Sequence, residues 1–161
     1  MEKYTLYTFY QKQHQLDLFI FEQRQLAHPH LPDRVRALRC ELAELQNEWK
    51  GFKFWKQDQT INRERLLDEY ADVFHFALSL GVWNSRIDLM TEYTAKVMPT
   101  IGETFDQLFI SSVTILNPDS HKIFIELFIG LGKQLGISLA DWKESYESKY
   151  QENIDRQNRG Y

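Results

Sequence analysis

Residues 41–56 read ELAELQNEWKGFKFWK, and residues 66–80 read LLDEYADVFHFALSL. At about 100° per residue, Leu38, Leu42, Leu45 and Trp49 fall in one apolar stripe of a helix. Glu41, Glu44 and Glu48 gather on the shoulder of that stripe, roughly 60–120° to one side. The second stretch repeats the layout. Leu66, Tyr70, Val73, Ala77 and Leu80 form its stripe, and Glu69 and Asp72 lie on a shoulder displaced in the same rotational sense. Antiparallel packing of two such helices brings both acidic shoulders to the same side of the pair, whereas parallel packing would separate them. The connection of about a dozen residues permits the antiparallel arrangement.

Working outward, the same periodicity covers most of the 161 residues. It predicts helices from about Leu6 to Ala27, Asp33 to Trp49 and Arg63 to Leu80, with a further helical stretch reaching Met98 before Pro99. Others are expected from Glu103 to Leu116 and His121 to Leu135, and a last one opens at Ser138, whose side chain can cap near Asp141. Strict alternation over a strand length is absent. The expected class is all-α, an antiparallel bundle of about six helices. With no repeat, linker or low-complexity tract, residues 1–161 read as one domain.

Apolar residues make up 43% of the chain, enough for a real core. The net charge of −4 argues against a protein that coats nucleic acid or an anionic membrane. The single cysteine, Cys40, cannot form an internal disulfide, which fits a reducing compartment. Asp17 and Glu22 interrupt the N-terminal apolar run, and IFIELFIGLG, which carries Glu126, is too short to span a bilayer. The expectation is a soluble, cytoplasmic protein.

Carboxylates that converge beside a core repel one another unless cations neutralise them, and hard oxygen ligands suit Mg²⁺ or Mn²⁺. An isolated E-x-x-E is more often a solvated helix face. The matching E-x-x-D on the matching shoulder favours a metal site. Mg²⁺ held by carboxylates takes remaining ligands from waters and substrate phosphates. No P-loop glycine pattern is present. A di-iron bundle would want Glu-x-x-His on two helices, and only Asp72-x-x-His75 comes near it.

These residues together resemble the dimeric all-α dUTPase family, relatives of the MazG-like nucleotide pyrophosphohydrolases. The marks are the E-x-x-E…E-x-x-D pair, NE-x-x-x-FK-x-W from Asn47, HF-x-L-S-L-G from His75 and the ending SYESKYQENIDRQNRGY, with Gln13-x-x-x-Asp17 near the start. Two departures fall in the loop: Trp49-Lys50-Gly51 inside the first motif, and Lys56-Gln57 where Ser-Lys is commoner. The resemblance implies a homodimer that takes a dUTP/dUDP-type nucleotide and hydrolyses dUTP to dUMP and pyrophosphate. It also implies Mg²⁺ (or Mn²⁺) bound by Glu41, Glu44, Glu69 and Asp72. One of Glu41, Glu44 and Glu48 would orient the attacking water, and the sequence leaves open which.

Substrate contacts are expected from several other positions. Lys53 and Lys56 are candidates for phosphate, and Trp55 for a wall of the base pocket; the alternative is a solvated loop with Trp55 buried. His75 is placed beside Asp72 as a pocket residue or a satisfied core histidine. Gln13 presents an amide able to read a uracil edge. Lys149, Asn153 and Arg156 share one helix face and suit phosphate and base or sugar, with Tyr161 added by the family ending. Phe124 and Phe128 read as core or dimer interface, and His14, His28, His30 and His121 lack metal spacing. A broader nucleotide pyrophosphohydrolase and a catalytically silent helical module are the rival readings.

Overall fold

The computed structural model describes residues 2–161. Six helices carry the fold: α1 (Tyr7–Arg24), α2 (Leu31–Trp49), α3 (Arg63–Trp83), α4 (Ile101–Val113), α5 (Pro118–Gln134) and α6 (Leu139–Asn158). Two short antiparallel strands, β1 (Lys3–Thr5) and β2 (Glu92–Thr94), pair Tyr4 opposite Tyr93. The all-α expectation therefore holds.

Helix starts follow local chemistry. Asn62 accepts a hydrogen bond from the Arg65 amide at the head of α3. Reciprocal capping boxes open α4 (Thr100 with Glu103) and α6 (Ser138 with Asp141), the second as the sequence predicts. Asn117 caps α5, with Pro118 in the first turn, where its missing N–H costs nothing.

α3 is the central element, packed against α1, α2 and α6. Its buried residues include Leu66, Tyr70, Val73, Ala77 and Leu80, the whole predicted stripe, together with Ala71, Phe74 and Leu78. Three contacts fix its direction relative to α2. Arg34 at the start of α2 meets Ser79 near the end of α3, Glu41 meets Asp72 at mid-length, and Glu48 meets Arg65 at the other end. The pair is antiparallel, which is the arrangement that brings the acidic shoulders together. Phe74 forms an aromatic cluster with Phe9, Phe128, Trp142 and Tyr146, tying α3 to α1, α5 and α6.

One expected helix is absent. The periodicity predicts helix continuing to Met98, but α3 stops at Trp83 and the chain turns at Asn84 and Asp88 before entering β2. Asn84 leaves the helical region, its amide nitrogen donating to the Leu116 carbonyl. Beyond it, Thr91, Tyr93, Thr94 and Val97 are β-branched or aromatic and fit a pleated surface better than a helix. A three-residue strand offers no periodicity to read. Burial of Tyr93 and its 2.9 Å hydroxyl contact with Tyr10 hold it in place.

The segment after β2 lies tightly on α5. The Lys96 amide donates to the Glu126 carbonyl at 2.9 Å, and a Cβ on Gly130 would stand 1.8 Å from the Lys96 carbonyl oxygen. That oxygen belongs to backbone and cannot rotate away. Gly130→Ala is expected to lower stability by about 1–3 kcal/mol or more through overpacking, read as a reduced urea midpoint; an unchanged midpoint would show that this approach is soft.

Candidate functional site

Glu41 from α2 and Glu69 and Asp72 from α3 each offer a carboxylate oxygen, and these atoms lie within 4.8 Å of one another. All three are half-buried. Removal from water disfavours their charged forms, and each adds to the other's penalty. Burial, then Asp72, Glu44 and Glu69, push the Glu41 carboxyl up to about 7. Burial, then Glu44, Asp72 and Asp68, do the same for Glu69, also to about 7. Asp72 is raised chiefly by burial, against the pull of a hydrogen bond from Lys149.

This donor set fits a hard divalent cation. Oxygen ligands on two rigid helices, crowded enough to hold protons near neutrality, are what a Mg²⁺- or Mn²⁺-sized ion would relieve. Glu44 is exposed beside the trio, near enough to raise both glutamates. Glu48 is engaged elsewhere: it is buried and accepts from Arg65 at 2.9 Å.

Next to the trio is a cleft of about 300 Å³ lined by Gln13, Asp17, Arg34, Glu41, Asp72 and His75, and by Asn153, Arg156 and Tyr161 of the C-terminal segment. Elements distant in sequence thus supply one wall each. Gln13 is buried with its amide fixed at both ends: Nε2 donates to Asp17 Oδ1 at 2.9 Å, and the Tyr146 hydroxyl donates to Oε1 at 3.2 Å. Asp17, 2% exposed, is held by Ser79 Oγ (2.5 Å), Trp83 Nε1 (2.8 Å) and Arg34 (3.4 Å). A buried carboxylate with this many donors is satisfied, so it serves as a rigid post for Gln13.

His75 stacks on the Tyr146 ring at 4.2 Å and faces the Tyr146 carbonyl through Nε2 at 3.2 Å. Burial pulls its pKa down to about 4, so the ring is neutral at pH 7. A carbonyl only accepts, so Nε2 carries the proton, and the buried Nδ1 is an acceptor with no partner among the described residues. Arg156 pairs with Glu152 and lies 5.4 Å from the Tyr161 ring centre. The Tyr161 amide donates back to the Arg156 carbonyl at 3.0 Å, which folds the last residues onto the cleft.

The other sequence candidates lie outside the lining of the cleft. Lys149 is buried, and its ammonium contacts Asp68, Asp72 and Glu152. Lys53, Trp55 and Lys56 occupy the loop between α2 and α3, outside the lining of the cleft. Trp55 is 61% exposed, not buried, and the Lys53 ammonium bonds Asn47. The sequence reading gave no role to Arg34 or Ser79. Both were detectable by spacing, since Arg34 precedes Glu41 by two turns and Ser79 follows Asp72 by two turns.

No single helix is long and apolar enough to cross a membrane among the described residues. A family model described as dUTPase matches residues 5–161, nearly the full chain. No curated protein matches it.

The raised carboxyls predict a pH-dependent metal effect. Glu41 and Glu69 contribute stability that is present below about 4.5 and lost as pH rises through about 7, because ionisation is penalised only in the fold. The buried His75 and His121, both pulled down to about 4, act oppositely between about 4 and 6.5. Comparing Tm with and without Mn²⁺ isolates the carboxylates. The Mn²⁺-induced rise in Tm should be larger at pH 8 than at pH 5.5; equal increments would dissociate the ion from this cluster.

Proposed function

The chain belongs to the all-α dUTPase family and is by that membership a nucleotide pyrophosphohydrolase, and we propose that it hydrolyses dUTP to dUMP and pyrophosphate with Mg²⁺ held by Glu41, Glu69 and Asp72. The observation that carries the assignment is the trio itself, three half-buried carboxylates from two helices with oxygens within 4.8 Å. Such an ion, when bound, neutralises phosphate charge and lowers the pKa of a coordinated water.

The protein's own groups divide the remaining work. Glu44, exposed at the rim, completes the carboxylate set and has oxygens free to orient the attacking water, whereas Glu48 is committed to Arg65. Gln13, held by Asp17 and Tyr146, keeps one amide N–H and one carbonyl lone pair for a base edge. His75 Nδ1 adds an acceptor in the same cleft. Arg156, Asn153 and Tyr161 line the cleft and suit phosphate and sugar. Lys53, Trp55 and Lys56 reach the nucleotide by closure of their exposed loop.

Residues 1–161 act as one catalytic domain in this reading. The active species is a homodimer, which fits Ile110 and Val113 left 61% and 67% exposed on one face of α4. The exposed free thiol of Cys40 fits a reducing cytoplasm.

Incubation with dUTP, dUDP, dCTP and dTTP in Mg²⁺ tests the assignment. dUTP should yield dUMP and pyrophosphate, and orthophosphate release from dUTP would overturn attack at the α-phosphorus. Comparable rates on all four nucleotides would favour a broader pyrophosphohydrolase. Asp72→Asn should lower turnover by at least about 100-fold with the helical content intact. Near-normal turnover would leave the trio a solvated face.

A further inference from the structure

Lys149 is the most confined cation near the cluster. Its side chain is 2% exposed, and Nζ lies 2.7 Å from Asp68 Oδ1, 2.9 Å from Asp72 Oδ2 and 3.2 Å from Glu152 Oε2. Glu152 also pairs with Arg156 of the cleft lining. Asp68 and Glu152 come from different elements, α3 and α6, and both meet this ammonium. Asp72 belongs to both groupings: one to Lys149, the other to Glu41 and Glu69.

An ammonium and a divalent ion cannot share Asp72 without cost. A metal–oxygen bond is about 2.0–2.5 Å, so an ion on Asp72 would sit within a few ångströms of Nζ, in a site partly screened from water. Like charges at that separation repel strongly. Lys149 also lies four residues before Asn153 and seven before Arg156, on the helix face that lines the cleft.

We propose that Lys149 is the resting counter-ion of the acidic cluster, berthed by Asp68 and Glu152, and that a divalent cation entering on Glu41, Glu69 and Asp72 displaces its ammonium from Asp72 toward the cleft. The inference rests on reading those three carboxylates as metal ligands. Asp68 and Glu152 are then positioning residues that hold the lysine ready without closing the metal position. The ammonium donates to the Asp68, Asp72 and Glu152 carboxylates, which together hold it in the berth.

Two measurements on the full chain without nucleotide test this. Free Mn²⁺ followed by electron paramagnetic resonance gives the metal affinity of the wild type and of Lys149→Met, which keeps the stem and removes the charge. The variant should bind Mn²⁺ about fivefold tighter or more. Equal or weaker binding overturns the competition and makes Lys149 a supporting partner of Asp72. The second readout uses the wild type alone, so it stands even where the variant fails to fold. Acylation of Lys149, measured by mass spectrometry against exposed Lys143, should be slow in metal-free protein and severalfold faster in saturating Mn²⁺. Undiminished protection with Mn²⁺ bound overturns the displacement. Absence of Mn²⁺ binding by both proteins would instead overturn the metal-site reading, and the inference with it.

Discussion

Mutual repulsion among half-buried carboxylates is the constraint around which this molecule is arranged. Antiparallel α2 and α3 set Glu41 against Glu69 and Asp72, with Glu44 beside them and Asp68 behind. A fold selected for stability alone would not place these groups together, since burial already penalises each charge. The surrounding structure compensates at each end of the helix pair. Arg65 neutralises Glu48 at one end, Arg34 joins Asp17 and Ser79 at the other, and Lys149 meets Asp72 in the middle. The three cations are spaced along the seam, and the central trio keeps oxygens facing one another.

The C-terminal helix links this electrostatic arrangement to the aromatic core. Tyr146 packs against Phe74 and His75 of α3 and Phe9 of α1, and its hydroxyl fixes the Gln13 amide. One turn later Lys149 reaches the carboxylates, and farther on Asn153 and Arg156 line the cleft. A single helix face therefore passes from core packing, through charge neutralisation, to the open pocket. α6 is thus packed into the aromatic core at its start and lines the open cleft at its end.

The sequence revealed the fold wherever periodicity ran long. The α2 and α3 stripes extend over several turns, so both helices and their acidic shoulders follow from the sequence, and the short connection permits their antiparallel direction. Capping chemistry placed the start of α6 at Ser138 within one residue. The segment from Asn84 to Thr100 was misread because strands of three residues leave no period, and its conformation is decided by Tyr10, Glu126 and Gly130, all distant in sequence. At the site, the same-face spacing of Glu41, Glu44 and Glu48 on α2, and of Glu69 and Asp72 on α3, was legible. The pairing of Glu48 with Arg65, and of Lys149 with Asp68, was not, because each depends on the approach of a second helix rather than on spacing within one.

Locating a bound metal ion tests the account most directly. Crystals grown with Mn²⁺ and a non-hydrolysable dUTP analogue would show manganese through its anomalous scattering. The account predicts a peak coordinated by Glu41, Glu69 and Asp72, with analogue phosphate oxygens completing its shell. A nucleotide bound in the cleft with no manganese on these three carboxylates, or manganese held elsewhere, would contradict it.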